Sequence, residues 1–251
     1  MAFFYIKAEH ELGELAALEG APVLGVDLET TGLVPQQCRI RLIQLATPQD
    51  TFVVDLFRAG EGAMEILSPL LTSPDVVKVL HNAKFDVKHL LYHYQLEMTN
   101  IFCTMLASRL LAMGRGGRHS LAEVVHRYLK EYVDKQLQVS DWSSQLTEDQ
   151  VQYAGQDAEW VLRLHQVMAP LLDKHKLRKV SRLEFRTVTP VAAMELRGIF
   201  LDGALLESVN KQYRRQAESL EKVVLEELHA VGDLPGMNTL NLNAPEQVKQ
   251  A

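Results

Sequence analysis

The chain has 251 residues, 47% hydrophobic and 23% charged, with a formal net charge of −6. These are ordinary values for a soluble globular protein, enough for one large domain with or without a smaller piece. The acidic balance argues against a generic polyanion-coating protein, although a site rich in carboxylates and metal makes even a nucleic-acid enzyme acidic on paper. Two cysteines, Cys38 and Cys103, make neither a disulfide framework nor a zinc site. No apolar run reaches transmembrane length. The opening MAFFYIKAEHELGEL has too short an apolar core for a signal peptide and is acidic too early for a transit peptide, so the expectation is a cytoplasmic protein with no membrane partner.

The first clear element is an apolar strand, Val23 to Val26, running into Asp27-Leu28-Glu29. Side chains alternate along a strand, so Asp27 and Glu29 share a face while Leu28 points into a core. Gly32 permits a tight turn. Residues 39–46 alternate polar and apolar and predict a second strand, and Thr51 to Val54 a third, in a meander. A short helix over 61–71 follows. Val76 to Leu80 is a more continuously apolar strand of the kind buried on both faces. Asn82 is placed to cap the next helix, which carries Phe85, Leu90, Leu91 and Tyr94 at helical spacing. Residues 100–103 give a fifth short strand. Strands followed by strand–helix alternation predict a mixed sheet with helices on its faces.

From 104 onward the pattern is helical. A basic loop, Met113 to Arg118, precedes a capping box from Ser120 to Glu123 and an amphipathic helix through Leu129. Residues 134–146 are polar and irregular around Ser140-Asp141-Trp142. Thr147 to Gln150 forms another capping box, opening a helix to about 169. The basic run from Lys174 to Lys179 reads as a solvated helix face. Composition changes near 180. One helix then ends at Arg197-Gly198. Another runs from Asp202 to about His229, with an apolar stripe through Leu205, Val209, Tyr213, Leu220 and Val224, and Gly232 and Pro235 stop it.

Paired carboxylates at a strand end repel each other and are costly to desolvate, and a hard divalent cation, Mg²⁺ or Mn²⁺, relieves both problems. A lone D-x-E is more often a solvated strand end. Two more acidic positions sit where a sheet-based site needs them. Asp86 lies in the first turn of the helix after the fourth strand, where an acid is also simply favoured by the helix N-terminus. Asp157 lies four residues after Tyr153 on one helix face, at the edge of the buried side marked by Ala154, Ala158, Val161 and Leu162.

Together, VDLETTG with Asp27 and Glu29, HNAKFDVKHLL with Asp86, and YAGQDAEWVL with Tyr153 and Asp157 resemble the three motifs of the four-carboxylate 3′–5′ exonuclease superfamily. The Tyr153–Asp157 spacing is similar to its tyrosine subclass. Its histidine subclass would have His where Gln152 stands. The resemblance covers residues 20–170 and implies an α/β, ribonuclease H-like fold, a five-stranded mixed sheet flanked by helices. The stretch around Ser140-Asp141-Trp142 is similar both to ribonuclease D and to proofreading domains of family A DNA polymerases. The tail separates these two. Thr189 to Asp202 resembles the junction from exonuclease to thumb in the polymerases, and Asn241 to Gln247 resembles a later thumb element, with Ala244 where serine is more usual. The expected organisation is an exonuclease domain over 1–180 and a small all-helical, thumb-like segment over 181–251, apparently truncated and without palm motifs.

The resemblance implies two divalent cations, Mg²⁺ or Mn²⁺, about 3.5–4 Å apart. Asp27 bridges them, Glu29 and Asp157 complete the first, and Asp86 holds the second, with water attacking the terminal phosphodiester to release a nucleoside 5′-monophosphate. Tyr153 positions that water, since a phenol is a poor base at neutral pH. Thr30 and Leu33 match positions that hold the terminal sugar and base, and Asn82 and Phe85 are candidates for the penultimate nucleotide. The implied partner is a single-stranded or frayed DNA 3′ end. RNA-end processing like that of ribonuclease D, or a non-catalytic module that binds nucleic-acid ends, are the alternatives.

Overall fold

A computed structural model describes residues 2–60, 62–133, 141–231, 241 and 244–250. Ser140, the helix stop at Gly232 and Pro235, and Asn243 lie outside these. The chain divides into two compact units, Met1–Arg197 and Gly198–Ala251.

The first unit is built on β1 (Ala2–Ile6), β2 (Val23–Thr30), β3 (Ile40–Ala46), β4 (Asp50–Asp55), β5 (Val77–Leu80) and β6 (Ile101–Cys103). They form one mixed sheet in the order β1-β4-β3-β2-β5-β6. The sheet therefore has six strands, one more than the sequence predicts. The extra one is β1, which pairs in parallel with β4 from Ala2 opposite Asp50 to Ile6 opposite Val54. β2 is antiparallel to β3 and parallel to β5. The 3₁₀ stretch Glu9–Leu18 buries Leu12, Leu15 and Leu18, the every-third-residue spacing that a three-residue turn requires.

β3 forms where the alternation predicts a strand, and every residue from Ile40 to Ala46 is buried. One face meets the main core through Ile43 and Leu45. The other is covered by α6 (Glu148–Lys174), with Leu42 clustering with Ala154 and Ala46 with Ala158. Two glycines let this helix lie close. A Cβ on Gly25 of β2 would overlap the Ala158 carbonyl oxygen, and one on Gly155 of α6 would press into the Phe3 ring.

The remaining helices are α1 (Leu56–Ala59), α2 (Gly62–Thr72), α3 (Lys84–Tyr94), α4 (Thr104–Ala112), α5 (Leu121–Leu129) and α7 (Arg178–Arg197). The Thr147–Gln150 capping box forms as predicted. The Ser120 one does not, because its hydroxyl makes no capping bond. Nor does Asn82 cap α3. It adopts φ 56, a left-handed conformation that asparagine tolerates, and its carbonyl instead accepts from the Phe85 N–H.

α7, which the composition change assigns to the second segment, packs into the first unit. Phe185, Val188 and Ala192 join the main core, Phe185 meets Phe102 at 4.8 Å, and Glu195 pairs with Lys84 and Lys88 of α3. The second unit holds α8 (Gly203–Val231) and α9 (Pro245–Gln250). Asp202 caps α8 through Oδ1 to the Leu205 N–H, and Leu205, Tyr213, Leu220 and Val224 stay exposed. No helix among the described residues is long and apolar enough to cross a membrane.

The close approach of α6 to β2 is testable by Gly25→Ala. Overpacking at such a contact costs about 1–3 kcal/mol, so thermal unfolding of the variant should shift down by several degrees. An unchanged Tm would contradict the approach.

Candidate active site

The carboxylates converge because three elements end at one point. Gly25, Asp27 and Glu29 alternate onto the face of β2 that meets α6. The contact of Gly25 with Ala158 brings the preceding helical residue, Asp157, down beside that strand. Asp27, Glu29 and Asp157 each offer one oxygen such that all three lie within 4.8 Å of one another. A register shift after Glu29 then turns the strand, and Thr30 Oγ1 donates to the Gly32 carbonyl at 2.6 Å.

Asp86 enters from the other side. β2 pairs with β5 over Val23 to Gly25 and then runs on past it, and the first turn of α3 brings Asp86 beside Leu28 there. There the backbone N–H of Leu28 and that of Asp86 itself donate to the buried Asp86 carboxylate.

The electrostatics are those of crowded negative charge. Burial pushes Asp27 well above the usual carboxylate range, with Asp86, Asp157 and Glu29 adding to it. Glu29 is pushed up to about 9 by burial, then by Asp157 and Asp86. Burial raises Asp157 to about 7, against a lowering hydrogen bond from Tyr153. Asp86 is raised well above its ordinary value by burial, which outweighs its two backbone donors. Asp27, Glu29 and Asp157 keep part of their surface open, so solvent screens some of this repulsion.

A divalent cation fits this donor set. The ligand atoms are hard oxygens, and Asp157 Oδ1 is buried with no hydrogen-bond partner. Among the described residues no lysine or arginine forms an ion pair with any of the four acids.

The acids lie in a cleft of roughly 870 Å³, which is also lined by Tyr153, Thr30, Leu33, Asn82 and Phe85. All the residues singled out from the sequence therefore share one site. Tyr153 is held in an apolar cluster with Trp142 and Leu42, its hydroxyl on Asp157. Gln152, next to it, faces out. Leu33 is 79% exposed on the rim, an apolar side chain left for something to cover. Phe85 lies tilted against the His89 ring, with centroids 4.3 Å apart.

Sequence reasoning missed the opposite wall, where Arg109, His119 and Met105 line the cleft. The His119 Nδ1 and the Arg127 guanidinium both meet Ser108 Oγ, at 2.9 and 3.0 Å. Burial, then Arg127 and Arg109, hold the imidazole below its usual range. Arg109 and His119 come from separate elements and share no motif. The basic run at 174–179 lies elsewhere, with Arg178 paired to Asp173.

Residues 3–173 match the model of the 3′-5′ exonuclease family. The chain belongs to that family. DNA polymerase I of Aquifex aeolicus (strain VF5) is 32% identical to this exonuclease over 238 residues, 87% of this chain and 39% of that protein. Exosome complex component 10 of Homo sapiens is 34% identical over 128 residues, 51% of this chain and 14% of that protein. Among solved structures, Brucella melitensis NrnC bound to pGG has a TM-score of 0.69 at 25% identity, covering 79% of this chain and 95% of that one. This exonuclease thus spans less than half the length of the curated relatives named here. Its sheet is ribonuclease H-like, and exonucleases of the family depend on divalent metal ions.

The raised carboxyl groups set the pH dependence. A carboxyl whose pKa rises on folding binds its proton more tightly folded than unfolded, so protonation favours the fold. That stability is full below the unfolded range, near 4, and is lost as pH climbs toward about 7 for Asp157 and about 9 for Glu29. Metal-free protein should therefore lose thermal stability steadily from about pH 5 to about pH 9. Mg²⁺ or Mn²⁺ should raise Tm more at the alkaline end and release protons on binding. A flat metal-free profile would contradict the crowding.

Proposed function

We propose that this exonuclease removes nucleoside 5′-monophosphates from the 3′ end of DNA, preferring single-stranded or mismatched ends, as in proofreading or repair in the cytoplasm. The observation that carries the reading is the convergence of Asp27, Glu29 and Asp157 within 4.8 Å in a cleft that also holds Asp86 and Tyr153.

Two divalent cations, Mg²⁺ or Mn²⁺, would be held by Asp27 between them, Glu29 and Asp157 on the first, and Asp86 on the second. Such ions supply a lowered pKa for the attacking water and charge stabilisation at the leaving oxygen. Tyr153, whose hydroxyl rests on Asp157, orients the water. Thr30 and Leu33 hold the terminal sugar and base, and Asn82 and Phe85 the penultimate nucleotide. Arg109 lies on the wall where a phosphate chain entering the cleft needs positive charge, with the His119 imidazole beside it as a neutral hydrogen-bonding group.

The DNA half of the proposal rests on the DNA polymerase I relative, whose similarity extends through 87% of this chain. With no palm motif in the sequence, the chain does not extend a primer. A second reading, cleavage of RNA ends, is favoured by the similarity to exosome complex component 10.

Asp27→Ala and Asp157→Ala should each reduce cleavage at least about 10³-fold, roughly 4 kcal/mol of transition-state stabilisation, with the fold retained by circular dichroism. Substantial activity in both would sink the assignment. Tyr153→Phe removes only the hydroxyl, so kcat should fall with oligonucleotide affinity little changed. Matched loss of affinity at constant kcat would mean a stacking role.

Substrate preference follows from the buried floor, which admits a terminal nucleotide only when it is unstacked. Unpairing costs a few kcal/mol and is least for mismatched or single-stranded ends. Single-stranded and 3′-mismatched DNA should be degraded faster than fully paired DNA at one salt concentration. Equal rates would remove the unstacking argument, and faster cleavage of RNA of the same sequence would favour the second reading.

A further inference from the structure

β3 carries a polar side chain that packing alone does not explain. Gln44 is fully buried, and neither its Oε1 nor its Nε2 has a hydrogen-bond partner among the described residues. Native interiors leave few polar atoms in that state, and those they leave are often at functional or ion-binding positions.

The sheet fixes where this amide lies. Gln44 is the register partner of Asp27 on β2 and of Val53 on β4. Its same-face neighbours two residues away, Leu42 and Ala46, cluster with Ala154 and Ala158 of α6. Gln44 therefore sits beneath the single turn from Ala154 to Ala158, the turn that carries Asp157, with Asp27 beside it. Asp157 Oδ1 in that same turn is also buried and unpartnered. Side chains directly opposite on antiparallel strands start about 4.5–5.5 Å apart, a gap a glutamine spans.

We propose that Gln44 is a positioning residue for the metal centre, its amide N–H groups, unpartnered here, turning to donate to the Asp27 carboxylate when cations bind and fixing the orientation in which Asp27 meets them. The inference rests on the metal-centre reading of Asp27. A ligating carboxylate spends one side on the ion and leaves lone pairs behind, and outer donors to those lone pairs orient the ligand and tune its affinity. A neutral donor suits the place. Lysine or arginine there would satisfy the carboxylate but oppose the cations, and leucine or methionine would donate nothing.

The test is Gln44→Met, which keeps length and removes the amide. Mn²⁺ affinity is measured by calorimetry and metal-free stability by thermal unfolding. We expect a Mn²⁺ dissociation constant raised about 10–100-fold, the usual effect of losing an outer partner. The metal-free Tm should be equal or higher, because two unpaired buried polar atoms are gone. Unchanged Mn²⁺ affinity, or affinity lost together with metal-free stability, would overturn the proposal and leave Gln44 a packing residue. Should Gln44→Met not fold, Gln44→Asn keeps an amide too short to reach and is held to the same two readings. Wild-type protein that binds no Mn²⁺ would sink the metal-centre reading itself, whereas normal wild-type binding with normal binding in both variants sinks only the role of Gln44.

Discussion

Mutual repulsion among Asp27, Glu29, Asp86 and Asp157 is the constraint around which the first unit is arranged. Each is raised above its ordinary range chiefly by burial, and no basic side chain among the described residues pairs with them. A protein that needed only stability would place a lysine or arginine here, since uncompensated buried charge is strongly unfavourable. Leaving the charge unmatched keeps the site open to cations from outside. The fold must then hold the acids in place by means other than attraction between them, and the extensive apolar packing on both faces of the sheet does so.

Three separate devices aim the acids. Strand alternation puts Asp27 and Glu29 on one face. β2 runs on past its pairing with β5, and the first turn of α3 brings Asp86 beside Leu28 there, where the helix N-terminus and the Leu28 N–H favour the ionised form. The capping box at Thr147 sets the start of α6, and with it the rotational phase of Tyr153 and Asp157. A helix start displaced by one residue would turn both side chains by about 100°, out of the cleft. Distance is then fixed by Gly25, whose missing Cβ lets the strand meet the Ala158 backbone of α6, and by Gly155, whose missing Cβ leaves room for the Phe3 and Thr51 side chains. The Gln44 amide lies in the layer this approach creates.

The acids were legible because each sits in a short local pattern whose geometry is dictated by its own element. What escaped the sequence depends on contacts distant along the chain. β1 lacks alternation and gains its identity only by pairing with β4, nearly fifty residues away. Arg109 and His119 join the cleft through the packing of α4 and the start of α5. The polar residues of β3 are buried because a second layer, α6, covers them, a layer that the alternation of β3 alone does not announce. Asn82 has the residue type of a cap and the backbone of a left-handed turn, a distinction composition does not carry. The change in composition near 180 falls at the start of α7, inside the first unit. Phe185, Val188 and Ala192 still bury against the core, so the division comes at Gly198, whose φ of 66 ends the helix.

An acidic floor has a consequence for how substrate enters. Without bound cations the buried acids hold protons and offer a phosphate chain no positive charge, whereas bound cations displace those protons and supply it, so metal and nucleic acid should bind with positive coupling. Among the described residues that line the cleft, positive charge comes from Arg109, with Arg127 behind it, and a formal net charge of −6 supplies no wider attraction. Few phosphates can then be neutralised directly. The apolar rim, where Leu33 stands exposed and Phe85 lies against His89, offers surface of another kind, and base stacking tolerates salt in a way that phosphate contacts do not. Apolar surface for terminal bases, rather than a wide positive surface for a duplex backbone, is therefore what the cleft has to offer, and the proposed preference for unpaired ends follows from that balance.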